Sequence, residues 1–265
     1  MTIPIWKQFE IECTDYLNRK FGAYAHFEHQ GEEDSTRPDI FVETKSGNSF
    51  YIDAKHSPAQ CGQFVLLENI LTEQFEYSRR NANRINIYSE KIMQYMNEHY
   101  EQFRNADTSG KNIIMPDGES IFSNWIIDTY KKKGTHFFIT NDCTILPIER
   151  FKTYFTSTAK YRVKKSGSSP IGKTRLSKVK SFIETCNYPV SNFRIEGKKL
   201  FVTSSSDLNH IKFRFEQYQY MFSQRNHEYE IRKLSNTNHA NVIFSITKKD
   251  GVEGLSDSDF ISKLQ

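Results

Sequence analysis

The sequence predicts an α/β fold, with a mixed central sheet flanked by helices and a second, β-rich α+β lobe. Three observations lead to this prediction. A strand–turn–strand pattern runs from Pro38 to Lys55, amphipathic helical patterns lie on both sides of it, and the chain beyond residue 150 is basic and rich in short strand patterns. We therefore expect two domains, covering residues 1–150 and 151–265.

Composition limits the classes of protein to consider. In 265 residues with 37% hydrophobic content, no unbroken apolar run is long enough to suggest a membrane span. The first residues show no basic segment followed by an apolar stretch, so we expect no secretory signal, no membrane partner and a cytoplasmic location. Four widely separated cysteines lack the paired spacing of a metal site, and we expect them to be reduced and packed.

Apolar periodicity predicts the remaining elements. Helices are expected over residues 6–20, 58–80, 85–103, 118–133, 174–186 and 208–222. Strands are expected over residues 23–28, 135–140, 144–146, 193–195, 199–203, 227–233 and 241–247. Residues 257–265 are expected to form a loosely held tail.

The hairpin pattern also predicts a register. We place a three-residue loop at Ser46-Gly47-Asn48, with strands on either side. Counting back along both strands sets Phe41 opposite Asp53. By the same count, Asp39 lies opposite Lys55.

Alternation of side chains then assigns two faces to the hairpin. One face carries Ile40, Val42, Phe50, Ile52 and Ala54, with Thr44 as its polar member. The other face gathers Asp39, Asp53 and Lys55, with Glu43 further along. A two-residue loop would mix carboxylates with apolar side chains on both faces, and burial of either face would penalise that arrangement.

Two carboxylates and an ammonium at one end of a hairpin are suited to metal-assisted hydrolysis. Neighbouring carboxylates repel each other unless a hard divalent cation such as Mg2+ neutralises them through oxygen ligands. Such a cation can generate hydroxide and offset charge at phosphorus, while Lys55 orients the attacking water or stabilises the transition state. The carbonyl of Ala54 is a further candidate ligand.

These residues carry a resemblance. Pro38-Asp39, thirteen residues, then Asp53-Ala54-Lys55 resembles the active-site motif of the PD-(D/E)XK nuclease superfamily, which includes many type II restriction endonucleases. The tripeptide alone is a weak signal, since Glu196-Gly197-Lys198 also fits it, and an exposed hairpin with a surface ion pair is the alternative explanation. The context strengthens the resemblance. The motif lies on a strand pair with suitable faces, between a helix that bears a glutamate and a following helix.

The resemblance implies a restriction-endonuclease-like core and Mg2+-dependent hydrolysis of DNA phosphodiester bonds, leaving 5′-phosphate and 3′-hydroxyl ends. It implies that Asp39 and Asp53 ligate the metal and that Lys55 activates water or stabilises charge. In this superfamily a glutamate of the first helix often completes the metal site, and Glu10 is preferred here over Glu12. A solvated helix glutamate is the alternative explanation of Glu10. We expect a type II restriction endonuclease acting on double-stranded DNA, and a homodimer if it cuts both strands of a palindrome.

Two further groups of residues are candidate DNA contacts. Gln60 and Gln63 would lie in the first turns of the helix after Lys55, holding a water or a DNA phosphate, although ordinary helix polarity explains them equally well. Residues 151–183 contain nine Lys or Arg and no Asp or Glu, which indicates a polyanion contact or a solvated face. Its candidate contacts, some in a predicted loop over residues 164–173, are Lys164, Lys165, Lys173, Arg175 and Lys178.

Other functions stay open at this stage. A structure-selective nuclease, such as a junction resolvase or repair enzyme, would share the core but show no sequence preference. A DNA-binding module with an inactive centre would bind without cutting, and RNA is the alternative substrate. The acids of the loop before Pro38, Glu32, Glu33 and Asp34, can bind a second cation or simply form an exposed polar loop.

Overall fold

The computed structural model describes residues 4–30, 38–69, 71–165, 167–186, 188–234 and 238–265. Two compact units divide the chain: residues 1–163 with 240–265, and residues 164–239. Residues 151–163 and 240–265, assigned to the second domain by sequence, therefore fall in the first unit, because their strands complete one of its sheets. Within the described ranges, no helix is both long and apolar enough to span a membrane.

Seven α-helices and sixteen strands follow one another in the described residues. The helices are α1 (Ile5–Phe21), α2 (Ile87–Glu98), α3 (Tyr100–Phe103), α4 (Gly118–Lys132), α5 (Phe151–Tyr154), α6 (Leu176–Thr185) and α7 (Asp257–Leu264). The strands are β1 (Ala25–His29), β2 (Ile40–Thr44), β3 (Ser49–Lys55), β4 (Ala59–Asn69), β5 (Gln74–Tyr77), β6 (Lys111–Asn112), β7 (Thr135–Thr140), β8 (Ile145–Pro147), β9 (Phe155–Lys165), β10 (Ser168–Pro170), β11 (Val190–Glu196), β12 (Lys199–Ser204), β13 (Lys212–Phe215), β14 (Tyr218–Arg225), β15 (Glu228–Leu234) and β16 (Asn238–Lys248).

The first sheet of the first unit has the order β1-β2-β3-β7-β8. Strands β3 and β7 pair in parallel and the other neighbours pair antiparallel, so the predicted mixed sheet is confirmed. The apolar face of the β2–β3 hairpin packs in one core with Leu17 and Phe21 of α1. This packing confirms the predicted faces of the hairpin and leaves its other face for polar side chains.

A second sheet of the first unit has the order β5-β4-β16-β9-β6. The predicted helix over residues 58–80 is wrong, because strands β4 and β5 occupy this segment. Phe64 and Phe75 of that helical stripe are buried, but Leu67 is half exposed and Leu71 is almost fully exposed. The segment is extended because β4 pairs with β16, a partner far away in the sequence.

The second unit contains the sheet β11-β12-β15-β14-β13, with β10 paired to β15. The predicted helix over residues 208–222 is wrong, since β13 and β14 form a hairpin there. Glu216 adopts a positive φ of 53° in its turn, and Phe213, Tyr220 and Phe222 are buried against α6 residues such as Val179. The predicted strands of this region and the helix α6 are confirmed.

The predicted loose tail is also wrong, because residues 257–264 form α7. Ser256 caps the helix, its hydroxyl accepting a hydrogen bond from the Asp259 backbone N–H at 3.1 Å. Phe260 and Leu264, four residues apart on one helix face, are fully buried in the core of the first sheet. The ring of Phe260 lies 4.9 Å from that of Phe21 in α1, centroid to centroid.

Candidate active site

The hairpin β2–β3 positions the three residues of the predicted site. Its register differs from the predicted one by two residues, because Phe41 lies opposite Tyr51. The three-residue loop begins one position earlier than predicted, so that Gly47, with a φ of +86°, is its last residue. A shift of two residues keeps every side chain on its predicted face.

Asp39, Asp53 and Lys55 lie together at the end of this hairpin. Lys55 Nζ is 2.9 Å from Asp53 Oδ2 and 3.7 Å from Asp39 Oδ2. The Ala54 backbone N–H donates a hydrogen bond to Asp39 Oδ2 at 2.9 Å, which ties the start of β2 to β3. The side chain of Asp53 is 3% exposed, while those of Asp39 and Lys55 are about 15% exposed. The arrangement is thus a largely buried group of charges with an opening to solvent.

Burial determines the ionisation of this group. It raises the pKa of the Asp53 carboxyl well above the usual range, and the neighbouring charge of Asp39 raises it further. Burial also opposes the charged form of Lys55, but Asp53, Tyr130 and Asp39 together raise the pKa of Lys55 above its usual value. Lys55 is therefore held as an ammonium beside the two carboxyl groups.

A divalent cation fits this donor set. Asp53 Oδ2 is buried, and the Lys55 ammonium lies 2.9 Å from it, which leaves a second lone pair of this oxygen for another partner. A buried carboxylate oxygen with an unused lone pair, beside a second carboxylate, offers the hard oxygen ligands that Mg2+ prefers. Within the described ranges, however, no three His, Cys, Asp or Glu side chains are gathered closely enough to hold a metal ion by themselves.

Glu10 is buried on α1 but is bonded elsewhere. Its Oε2 lies 3.1 Å from His29 Nε2, at the end of β1. His29 pairs with Ile40 of β2, and the Gln30 backbone N–H donates to the Asp39 carbonyl at 2.8 Å. Glu10 therefore reaches the edge of the site through His29, a residue that the sequence analysis did not single out. Glu12 forms its hydrogen bond with Gln8 on the exposed side of the helix.

Tyr130 of α4 and Cys61 of β4 also border the site. The ring centroid of Tyr130 lies 5.7 Å from Lys55 Nζ. Burial and then the charge of Asp53 raise the pKa of Tyr130, while burial raises the pKa of Cys61 to about 12. From the sequence we expected both residues to pack in the core. No local sequence pattern indicates that this core borders the charged group.

Gln60 and Gln63 lie on β4 and not on a helix. A β-bulge interrupts the pairing of β4 with β16 between these two residues, where Gly62 has a φ of +88°. A Cβ at Gly62 would approach the Trp125 ring to 2.8 Å, so glycine is required there. The Gln60 amide donates to the Gln63 side-chain oxygen at 3.4 Å. The bulge thus places both exposed amides together near the start of β4.

The predicted basic contacts of the second domain lie on several different elements. Lys164 lies on β9, Lys173 precedes α6 and Lys178 lies on α6, and all three are exposed. Arg175 forms an ion pair with Glu216 and donates a hydrogen bond to the Tyr220 hydroxyl at 3.2 Å. Its guanidinium also lies over the Tyr218 ring. The predicted loop over residues 164–173 is partly wrong, since β9 and β10 occupy part of it.

Two groups of candidate residues lie outside the description. The side chain of Lys165 is not described, and neither are residues 31–37, which carry the acids Glu32, Glu33 and Asp34. The candidate second cation site of that loop therefore stays a prediction.

Comparison with known proteins adds an independent observation. No protein-family model and no curated protein sequence matches this chain. A solved structure, HhaI endonuclease in complex with DNA, is similar to it over 98% of both chains, with 37% sequence identity and a TM-score of 0.73. The similarity includes both units described above and is too extensive to reflect the fold alone.

Proposed function

This chain belongs to the type II restriction endonuclease family that includes HhaI endonuclease, and we propose that it cuts duplex DNA at a specific sequence by Mg2+-dependent hydrolysis. The observation that carries the proposal is the group of Asp39, Asp53 and Lys55 at the end of the hairpin. The family relationship and the PD-(D/E)XK spacing support the same chemistry.

Asp39 and Asp53 would hold the Mg2+ ion, and the proximity of both carboxyl groups to Lys55 at one end of the hairpin supports this assignment. When bound, the cation supplies an activated water and offsets negative charge at phosphorus. Lys55, kept as an ammonium by its carboxylate neighbours, would donate hydrogen bonds to that water or to the phosphate oxygens. The water oxygen bonds to phosphorus and releases one proton to the solvent as the bond to the 3′ oxygen breaks, and the 3′ oxygen takes up a proton from the solvent.

Glu10 would act at the edge of this centre. Because it is bonded to His29 in the strand beside Asp39, it is placed to fix the geometry of the carboxylates, or to join the metal ligands when the cation is bound. The second unit would add DNA contacts outside the centre. Its exposed lysines Lys164, Lys173 and Lys178, together with Lys165, are the proposed phosphate contacts, and Arg175 is a weaker candidate because its guanidinium is already paired.

A plasmid cleavage assay in Mg2+ tests the proposal. The native protein should yield discrete, reproducible DNA fragments, and Asp53→Asn and Lys55→Met should yield none. Lys198→Met changes the lysine of the second Asp/Glu-x-Lys tripeptide, which lies in the exposed turn between β11 and β12, and should cut like the native protein.

Other outcomes would redirect the assignment. A smear without preferred sites would favour a structure-selective nuclease, and cutting of duplex RNA would change the substrate. DNA binding with no cleavage in any divalent metal would indicate a binding module. Sedimentation of the protein with and without a palindromic duplex would test the proposed homodimer.

A further inference from the structure

Side chains hold the chain directly after Lys55, the lysine of the proposed centre. Lys55 is the last residue of β3 and pairs in parallel with Thr140, the last residue of β7. Beyond this point the chain of β7 turns toward β8, and Ser57 lies in the connection from β3 to β4. The strand ladder ends here, so the position of Lys55 depends on what holds Ser57.

Asn141 takes over where the ladder ends. The Ser57 backbone N–H donates a hydrogen bond to Asn141 Oδ1 at 2.8 Å, and Asn141 Nδ2 donates to the Ser57 carbonyl at 3.2 Å. The side-chain amide thus satisfies both backbone groups of Ser57, as a neighbouring strand would. This contact extends the hold of β7 on the hairpin strand to a position beyond Lys55.

A second contact ties Ser57 to the other sheet of the first unit. The Lys248 backbone N–H, at the end of β16, donates to Ser57 Oγ at 2.8 Å. Lys248 Nζ in turn forms an ion pair with Asp142, and Asp142 Oδ1 accepts a hydrogen bond from the Thr140 hydroxyl at 2.7 Å. The connection is therefore fixed from both sheets by a polar clamp that consists of Ser57, Asn141, Asp142 and Lys248.

The position of Lys55 must be precise for the chemistry of the site. Its ammonium lies 2.9 Å from Asp53 Oδ2 and 3.7 Å from Asp39 Oδ2, although the residue is at the end of a strand. Residues at the ends of elements fray when nothing holds the chain beyond them. A displacement of about 1 Å in a reacting group can lower a rate by about 100-fold. The polar clamp is therefore placed to determine how well the site is formed.

We propose that Asn141 is a positioning residue of the nuclease and holds Lys55 beside the two carboxyl groups through Ser57. The inference rests on the proposed hydrolysis and adds to it a residue outside the PD-(D/E)XK motif. In this role Asn141 acts through the backbone of Ser57 and not by contact with the DNA or the metal ion. It should therefore affect the rate of cleavage and not the affinity for DNA.

Single-turnover cleavage with saturating protein in Mg2+ tests the inference. Asn141→Leu keeps a similar side-chain size but removes both hydrogen bonds, and should cut DNA about 10- to 100-fold more slowly than the native protein. Asn141→Asp keeps the acceptor for the Ser57 N–H and should cut at an intermediate rate. The DNA affinity of Asn141→Leu, measured separately in EDTA, should equal that of the native protein.

Asn97 provides a matched control. Its Oδ1 accepts a hydrogen bond from the Phe75 N–H at 2.6 Å and its Nδ2 donates to the Phe75 carbonyl at 3.3 Å, which is the same pair of contacts between α2 and β5. Asn97→Leu removes this pair and should lower stability in a similar way, but should cut DNA at the native rate. The comparison separates the positioning of Lys55 from a general loss of stability.

A measurement of stability tests the same coupling without cleavage. Urea unfolding would be compared for the native protein, Asn141→Leu, Lys55→Met and their double variant. If Asn141 positions the ion pair of Lys55, the decrease in denaturant midpoint caused by Lys55→Met should be smaller in the Asn141→Leu background. In the Asn97→Leu background this decrease should be the same as in the native protein.

Three results would overturn the inference: a native cleavage rate in Asn141→Leu, equal slowing by Asn97→Leu, or an equal effect of Lys55→Met with and without Asn141. A loss of DNA affinity that accounts for the slower cleavage would also overturn it, because Asn141 would then be a DNA contact. Absence of cleavage by the native protein, with the coupling in urea still present, would instead refute the proposed hydrolysis and leave Asn141 as the residue that positions Lys55. The two proposals can therefore fail separately.

Discussion

Lys55 Nζ lies 2.9 Å from Asp53 Oδ2, and this contact joins an ammonium and a carboxyl group that are both largely buried. Breaking a buried ion pair by removing one partner typically destabilises a protein by about 3–5 kcal/mol, since the remaining charge is left without compensation. The pair therefore couples the stability of the hairpin to the chemistry of the site.

At a pH high enough for Asp53 to be ionised, we predict that Lys55→Met lowers the free energy of unfolding by about 3–5 kcal/mol and abolishes cleavage. The double variant Asp53→Asn/Lys55→Met should recover part of the stability, because neither charge is then left alone, but none of the activity. Urea unfolding of the two single variants and the double variant measures the coupling. A double variant no more stable than Lys55→Met would contradict the prediction.

The raised pKa of Asp53 predicts a pH dependence of metal stabilisation. Because burial favours the protonated carboxyl in the folded state, the stability that Asp53 contributes is complete below its unfolded pKa of about 3.9 and is lost as the pH rises through its raised folded pKa. Mg2+ binds the deprotonated form and offsets this loss. The increase in Tm caused by Mg2+ should therefore be larger at pH 8 than at acidic pH, and Asp53→Asn should remove the difference. Equal increases at both pH values for the native protein would argue against Asp53 as a ligand.

Tyr130 is predicted to support Lys55 through its ring. An ammonium near an aromatic face gains about 0.5–2 kcal/mol, which corresponds to roughly 2- to 30-fold in rate if the contact persists in the transition state. Tyr130→Phe keeps the ring and should cut DNA at nearly the native rate, whereas Tyr130→Leu should be slower by this factor. Single-turnover cleavage with saturating enzyme separates the rate from DNA binding. Equal slowing by both variants would instead point to the hydroxyl.

Glu10 and His29 are predicted to act as a unit. Glu10→Ala and His29→Ala should each slow cleavage, but less than Asp53→Asn does, and the double variant should be no slower than either single one, because both changes break the same contact. If Glu10→Ala is as inactive as Asp53→Asn while His29→Ala is active, Glu10 is a direct metal ligand.

The C-terminal helix α7 is predicted to be essential for stability. Phe260→Ala removes a fully buried ring that packs between Phe21 and Phe137, and should lower the free energy of unfolding by about 3–5 kcal/mol. Ser262→Ala, on the solvent side of the same helix, should cost less than 1 kcal/mol. Denaturant midpoints of the two variants give the comparison.

Local patterns predicted the parts of the site that lie close in sequence. The alternation along β2 and β3 placed Asp39, Asp53 and Lys55 on one face, and the structure gathers them there. The predicted register was wrong by two residues because we placed Gly47 in the middle of the loop. In the structure its positive φ puts it at the last loop position, and this backbone requirement sets where the loop begins. Since the register shift is an even number of residues, every side chain of the hairpin stays on its predicted face.

Features that depend on distant partners were not predictable in this way. The spacing of Phe64, Leu67, Leu71 and Phe75 fits a helix, but β16 provides backbone partners that turn the segment into a strand. Tyr130 reaches Lys55 from another element, and its sequence neighbourhood indicates only an amphipathic helix.

The pairing of β4 with β16 also has a consequence for biosynthesis. Val65 is hydrogen-bonded in a sheet with a strand that contains Asn241, so this sheet closes only after the ribosome has translated the whole inserted unit. Pairings so far apart along the chain form slowly and late in folding. A nascent chain that already contains Asp39, Asp53 and Lys55 still lacks β16 and α7, so the newly made nuclease completes its scaffold only once residues 240–264 have emerged.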